Sequence, residues 1–313
     1  MTLNIAGKLI DFSTPQVMGI INVTPDSFYA GSRTPMAPGA SGGASAEGSV
    51  LVQRAEEMVA QGAAILDIGA CSTRPGSAPV SADEELRRLD AALTALAPLR
   101  TLHPDILISI DTFRADVARR CVRDHGIHII NDISAGQLDN TMFATVAELR
   151  TPYILMHNPS PDPTSPSSST LAPAASPSSA FTLGGFPADS SPFLPSVARF
   201  FAERLSQLYA LGVADVILDP GFGFGKTLEE NYALLHHLHD LIRLFPDNPF
   251  LIALSRKSMI YRLLGITPDE ALNGTTVLHT LALQAGAHLL RVHDVRPAVE
   301  AIRLVQYTLN VKH

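Results

Sequence analysis

Cysteine is nearly absent: Cys71 and Cys121 are the only two in 313 residues, too few and too far apart for a disulfide framework or a thiolate metal knot. A basic excess is also missing. Lys and Arg number 23 against 30 Asp and Glu, a formal charge of −7, which argues against general nucleic-acid binding, since that needs a basic face. It leaves room for an anionic ligand, which requires only a few local cations. No uncharged apolar stretch approaches the roughly 18 residues of a membrane span. The N-terminus, MTLNIAGKLIDFSTP, has no basic segment followed by a long apolar one, so no signal peptide is expected. These absences lead to the expectation of a soluble, cytoplasmic protein in a reducing compartment.

What the chain does have is a repeated short pattern. Eight apolar runs each end on a polar or charged residue: VMGII before Asn22, AAIL before Asp67, ILISI before Asp111 and HII before Asn131. The others are YILM before His157, DVIL before Asp219, FLIAL before Ser255-Arg256-Lys257, and AHLL before Arg291. Amphipathic helical stretches follow almost every run. Strand and helix alternating in this way predict a (β/α)8 TIM barrel of the α/β class, one domain over residues 1–313. In that fold the C-terminal ends of the strands form the catalytic rim.

The spacing predicts strands at about 17–22, 64–68, 106–110, 127–131, 152–156, 215–219, 250–254 and 287–292. Helices are expected at about 46–61, 114–125, 139–149, 196–211, 228–244, 268–285 and 295–309, with a short one near 258–264. Gly62 should stop the first helix. Ser81 and Glu84 have capping-box spacing and open the second. The first residues should form a small hairpin closing the barrel bottom. Residues 23–48 lack apolar periodicity and read as a long rim loop. Residues 158–196 are dominated by Pro, Ser and Ala. Such a stretch buries too little apolar area to offset its ordering entropy, so it is expected to be a mobile, low-complexity insertion after strand five. Phe181, Phe186 and Phe193 could dock it locally.

The strand ends carry the candidate chemistry. Asn22 opens Asn-Val-Thr-Pro-Asp-Ser-Phe and offers a neutral oxygen for a hard cation such as Mg2+ or for a phosphate-bound water, unless it merely caps a Pro turn. Gly69 and Gly76 flank Cys71-Ser-Thr73-Arg74. They allow close backbone approach, and Arg74 can fork onto a carboxylate or phosphate. Asp111, Asn131 and Asp219 place three acceptor-bearing groups around one apolar mouth. A buried carboxylate needs donors, so a ligand rich in N–H groups, such as a flat amino-pyrimidinone edge, would suit them. Singly, each could be a helix N-cap. The run Asp219-Pro-Gly-Phe-Gly-Phe-Gly-Lys226 is glycine-rich without P-loop spacing. Its Phe222 and Phe224 could wall an aromatic ligand. Arg256 and Lys257 after strand seven, and Arg291 and His293 after strand eight, fall on the side where many barrels hold phosphate. Arg291 and His293, two apart, can face one side. His236, His237 and His239 belong to an outer helix and read as surface residues, and Cys71 reads as packing.

Taken together, MGIINVTPDSF, DIGACSTRPG, SIDT, INDIS, LMH, DPGFGFGK, SRKS and RVHDV resemble the dihydropteroate synthase family in identity, order and position at strand ends. The resemblance spans the chain except 30–48 and 158–196. It implies condensation of a hydroxymethyl-dihydropterin pyrophosphate with para-aminobenzoate, giving dihydropteroate and pyrophosphate with Mg2+ assisting. By the same resemblance Asn22 would contact Mg2+ and pyrophosphate, and Arg291 and His293 would hold the pyrophosphate. Asp111, Asn131, Met156, Asp219, Phe224 and Lys257 would form the pterin pocket. Thr73, Arg74 and Ser258 would form the aminobenzoate site. Lys257, Arg74 and Asp111 would be the catalytic set, in a homodimer built through outer helices.

The chain departs from the family at two places. Cys71 stands where the family commonly has Glu, and Asn158-Pro159 after LMH leads into the insertion instead of a short basic loop. Two rivals share the motifs in part. A corrinoid-type methyltransferase pterin domain needs no pyrophosphate grip, so the Asn22 loop and the Ser-Arg-Lys and Arg-Val-His strings weigh against it. A non-enzymatic pterin-binding homologue would be expected to lose a residue such as Lys257, Arg74 or Asn22, and all three are present.

Overall fold

In a computed structural model, residues 1–23, 44–71, 80–159 and 193–311 are described, with 44–47 as backbone only. A hairpin comes first, β1 (Thr2–Ile5) and β2 (Lys8–Asp11), paired antiparallel. Eight strands follow: β3 (Gln16–Asn22), β4 (Ile65–Gly69), β5 (Leu107–Asp111), β6 (Ile129–Asp132), β7 (Tyr153–Met156), β8 (Val216–Asp219), β9 (Leu251–Ile252) and β10 (Leu289–Val292). All neighbours pair parallel in the order β8-β7-β6-β5-β4-β3-β10-β9. The ring closes where Leu218 N–H donates to the Pro249 carbonyl at 2.8 Å, beside the single bridge from Leu218 to Phe250. This is the expected parallel barrel.

Side chains alternate across a strand, and here the alternation sorts the residues into two cores. Met18, Ile65, Leu107, Ile129, Ile154, Ile217, Leu251 and Leu289, one from each barrel strand, cluster inside with Leu3, Ile5 and Phe12 of the hairpin region. The hairpin therefore plugs the barrel bottom, as expected from the sequence. Their neighbours of opposite parity, among them Ile21, Leu66, Ile108, Ile130, Leu155, Leu218 and Leu290, form a second core beneath the helices. Two residues further along the inward series come Asp67, Ser109, Asn131, Met156, Asp219 and Arg291, and beyond them Asn22, Asp111, Ser255 and His293. The inner wall thus changes from apolar to polar towards the C-terminal ends of the strands.

The helices are α1 (Ala44–Ala60), α2 (Ala82–Leu102), α3 (Ala115–His125), α4 (Met142–Leu149), α5 (Phe193–Ala210), α6 (Leu228–His236), α7 (Leu238–Leu244), α8 (Ser258–Leu264), α9 (Leu272–Gln284) and α10 (Val295–Asn310). Gly62 follows α1 at φ +102°, as a left-handed stop requires. Ser81 accepts from Glu84 N–H at 3.2 Å, but Glu84 turns its carboxylate to Arg87 and Arg88, so only half of the expected capping box forms. Thr227 and Glu230 make a complete box at the start of α6. The helix expected over 228–244 breaks at His237, and that expected over 268–285 begins as a 3-10 turn at Pro268–Glu270. Of the strand expected over 250–254, only Leu251–Ile252 forms ladder. The expected insertion lies outside the described residues except at its ends. There α5 starts at Phe193, whose ring packs edge-on to His157 at 6.2 Å between centroids. Phe181 and Phe186 lie outside the described residues.

Candidate active site

Arg291 is the centre of the polar inner wall. Its Nε donates to Asp67 Oδ2 at 2.7 Å, and one Nη donates to Asp111 Oδ2 at 2.6 Å. Asn131 Nδ2 donates to the same Asp67 oxygen at 3.0 Å. Four strands, β4, β5, β6 and β10, are thereby tied through side chains at the C-terminal end of the barrel. Asp67 is fully buried, and its Oδ1 has no hydrogen-bond partner among the described residues. A buried carboxylate is tolerated only when cations and donors meet it, and Arg291 meets the buried Asp67 together with the half-buried Asp111. Burial pushes the Asp111 carboxyl up from the usual carboxylate range, with Arg291 opposing.

A second group faces it from β8 and the turn that follows. Burial raises the Asp219 carboxyl, and Lys257 and the Gly221 N–H, which donates to Asp219 Oδ1 at 2.8 Å, hold it down. Lys257 Nζ donates to the Phe222 carbonyl at 2.6 Å and stands 4.3 Å from the centroid of the Phe224 ring. Burial draws its ammonium down to about 8, with Asp219 opposing. The turn demands glycine: at Gly221, φ +68°, a Cβ would lie 2.1 Å from the His157 carbonyl oxygen, and at Gly223, φ +80°, it would meet Lys257. The glycines thus serve close packing and left-handed backbone, consistent with a run that lacks phosphate-loop spacing.

Asn22 ends β3 beside Gly69. A Cβ at Gly69 would lie 3.6 Å from Asn22 Oδ1 and 3.7 Å from Asp111 Oδ2, so the missing side chain leaves those two oxygens facing a common space. His293 follows β10 with its N–H on Ser255 Oγ at 3.2 Å. Met156 is buried on the inward face of β7. Ser258 is half-buried at the start of α8, next to Lys257. Thr73 and Arg74 lie outside the described residues. Both ends of their segment are gripped: Arg88 donates to the Ala70 carbonyl at 3.2 Å, and Arg114 to the Val80 carbonyl at 2.7 Å. Arg114 itself pairs with the fully buried Glu85, which also accepts from Thr112 Oγ1 at 2.6 Å.

The structure removes Arg256 from the expected group of rim cations. Its guanidinium forks onto Asp294 at 2.8 and 3.1 Å and reaches the Pro268 and Asp269 carbonyls, stitching α8, α9 and α10 together. Its parity is opposite to that of the inward Ser255, and its backbone is left-handed, φ +53°. Three residues have no role assigned from sequence. Asp67 ends an apolar run and has the same inward parity as Asp111, which signals a place in the mouth. Glu85 and Lys226 are recognisable only once their partners are seen.

A barrel mouth with buried carboxylates on one wall, lysine on the other and arginine between them defines an enzyme pocket for a ring that donates hydrogen bonds and carries an anionic group. A family model described as "Pterin binding enzyme" matches residues 18–293. Dihydropteroate synthase of Escherichia coli K12 is 37% identical over 319 aligned residues, covering 100% of this chain and 98% of that one. That of Bacillus subtilis is 34% identical, covering 94% and 88%. Among solved structures, Yersinia pestis dihydropteroate synthase with a sulfonamide drug superposes with a TM-score of 0.78 at 34% identity, covering 99% of this chain and 100% of that one. The Xanthomonas albilineans enzyme in complex with 7,8-dihydropteroate gives 0.76 at 32%, covering both chains fully. The chain belongs to the dihydropteroate synthase family of pterin-binding enzymes.

Proposed function

We propose that this chain is a transferase that joins 6-hydroxymethyl-7,8-dihydropterin pyrophosphate to para-aminobenzoate, releasing pyrophosphate and 7,8-dihydropteroate. The observation that carries the reading is the convergence of Asp111, Asn131, Asp219 and Lys257 on one mouth with Arg291 between them. The carboxylates and Asn131 accept from the amino and ring N–H groups of the pterin, and Lys257 donates to its ring acceptors. Met156 and Phe224 supply apolar contact to its faces. Thr73, Arg74 and Ser258 receive the aminobenzoate.

The aniline nitrogen attacks the exocyclic methylene carbon of the pterin. The carbon–oxygen bond to pyrophosphate breaks, and the leaving oxygen keeps the electron pair. The electron-rich pterin stabilises the cation developing at that carbon, so bond breaking leads. The aniline proton departs after attack, and no strong base is required beforehand. Arg291 and His293 spread the leaving charge. For Arg291 this requires sharing: one Nη has no hydrogen-bond partner among the described residues, while the rest of the guanidinium is on Asp67 and Asp111. Asn22 Oδ1, beside Gly69, would be the protein oxygen for a hard cation that arrives with phosphate, since Mg2+ typically takes one or two protein oxygens plus substrate phosphates. Bound there, Mg2+ would add positive charge at the pyrophosphate.

The assay follows pyrophosphate release with Mg2+, with and without aminobenzoate. Dihydropteroate formed only when both substrates are present supports the synthase. A covalent enzyme–pterin adduct seen by mass spectrometry overturns the direct displacement.

The same proposal includes a homodimer and a cytoplasmic location. Val277 and Leu281 on α9 and Leu304, Tyr307 and Leu309 on α10 are exposed large apolar residues, and a cleft of about 680 Å3 runs between these helices. A face of that kind suits a second copy of the chain. Leu304→Glu should shift the mass measured by light scattering from dimer to monomer. The two cysteines are free, as a reducing cytoplasm would keep them. Among the described residues, no helix is long and apolar enough to cross a membrane.

A further inference from the structure

Lys226 is a half-buried cation that the proposed chemistry does not use. Its ammonium has three protons, and three backbone carbonyls meet them: Gly221 at 2.8 Å, Phe224 at 3.1 Å and His157 at 3.1 Å. No donor is left over for a substrate. The His157 carbonyl is the one that a side chain at Gly221 would strike, so glycine and lysine together weld the turn after β8 to the end of β7. Burial draws the Lys226 ammonium down to about 7, with Asp219 opposing, so holding a charge here is costly.

A second tie holds the same turn from the other side. Asn231, buried in α6, accepts the Gly223 N–H on Oδ1 at 2.6 Å, and its Nδ2 donates to the Thr227 carbonyl at 2.6 Å. The turn between these ties serves three groups of the pterin pocket. Gly221 N–H bonds Asp219, the Phe222 carbonyl holds Lys257, and the Phe224 ring lies under the Lys257 ammonium.

We propose that Lys226 and Asn231 are positioning residues for the pterin pocket, holding the turn 221–225 so that Asp219, Phe224 and Lys257 are set for the pterin ring before it arrives. The proposal rests on the pterin reading given above. Preorganisation of this kind acts on affinity for the ligand the turn contacts. The aminobenzoate groups, on other elements, depend on it little.

The test compares wild type with Lys226→Met and Asn231→Ala, using steady-state kinetics for each substrate and calorimetric titration with the dihydropterin pyrophosphate. Thermal midpoints are recorded alongside. Lys226→Met should raise the pterin KM and Kd about tenfold, and Asn231→Ala about threefold, with the aminobenzoate KM within about twofold of wild type at saturating pterin. A lower midpoint with unchanged pterin Kd would show two merely structural residues and overturn the proposal, as would an equal rise in both KM values. Should Lys226→Met not fold, Asn231→Ala decides by the same criteria. A wild-type chain that binds no pterin overturns the functional reading, and this one with it. A wild type that binds and turns over while both variants keep its pterin Kd overturns this one alone.

Discussion

Asp67 and Arg291 are 224 positions apart in the chain and 2.7 Å apart inside the barrel. Their contact crosses the seam between β4 and β10, on either side of β3, and Asp111 on β5 shares the same guanidinium. A charge so deeply placed is tolerated because both sides are matched, and removing one partner strands the other. The pair therefore sets the shape and the charge of the mouth together. Asp67 fixes where Arg291 and Asn131 stand, and what remains of the guanidinium is the part available for the proposed pyrophosphate.

Asp67→Asn should therefore hurt function more than fold. It keeps the shape, removes the charge matched to Arg291, and turns part of an acceptor into a donor. Arg291 would then lean more heavily on Asp111, a residue of the proposed pterin pocket. We expect kcat/KM for the pterin substrate to fall by about 100-fold or more, near 3 kcal/mol of transition-state stabilisation. Steady-state kinetics checks this, and a fall under about fivefold would mean that Asp67 orients nothing of consequence.

Much of this site was legible beforehand because strand side chains alternate. Asn22, Asp67, Asp111, Asn131, Asp219 and Arg291 end apolar runs, His293 follows two residues on, and all share the inward parity of their strands. Arg256 has the outward parity, one residue off Ser255 and Lys257, while its partner Asp294, 38 positions on, is set by how α8 and α10 pack. The breaks at His237 and at the start of α9 are equally tertiary, since apolar periodicity runs through both. Glu85 looked like any first-turn helix carboxylate until Thr112 and Arg114 were found on it.

That buried carboxylate leads to a stability prediction. Glu85→Gln removes the charge that balances Arg114 while leaving the Arg114 grip on the Val80 carbonyl available. Breaking a buried pair typically costs about 3–5 kcal/mol. Arg114 remains a quarter exposed and can draw on water, so we expect about 2 kcal/mol, measured by denaturant unfolding. A loss below about 0.5 kcal/mol would class the pair with ordinary surface ion pairs.

His279 makes the protein's stability sensitive to acid. It is buried in α9, and its Nε2 has no hydrogen-bond partner among the described residues. Burial lowers its pKa from 6.5 to about 4, against a small pull from Asp294. The neutral ring is thus the folded form, and the unfolded chain takes up the proton first. The contribution is fully present above about pH 6.5 and is lost as the pH falls from there towards about 4. Between about pH 7 and pH 5 this amounts to roughly 2 kcal/mol. His157 and His128 are pushed the same way by burial, so wild type should lose more than this one residue accounts for. His279→Leu removes the titrating ring and keeps an apolar filling. Urea unfolding at both pH values should show the variant losing about 2 kcal/mol less than wild type on acidification. Parallel losses in the two proteins would mean that the ring gains its proton inside the folded chain without penalty, through a partner or a local opening of α9.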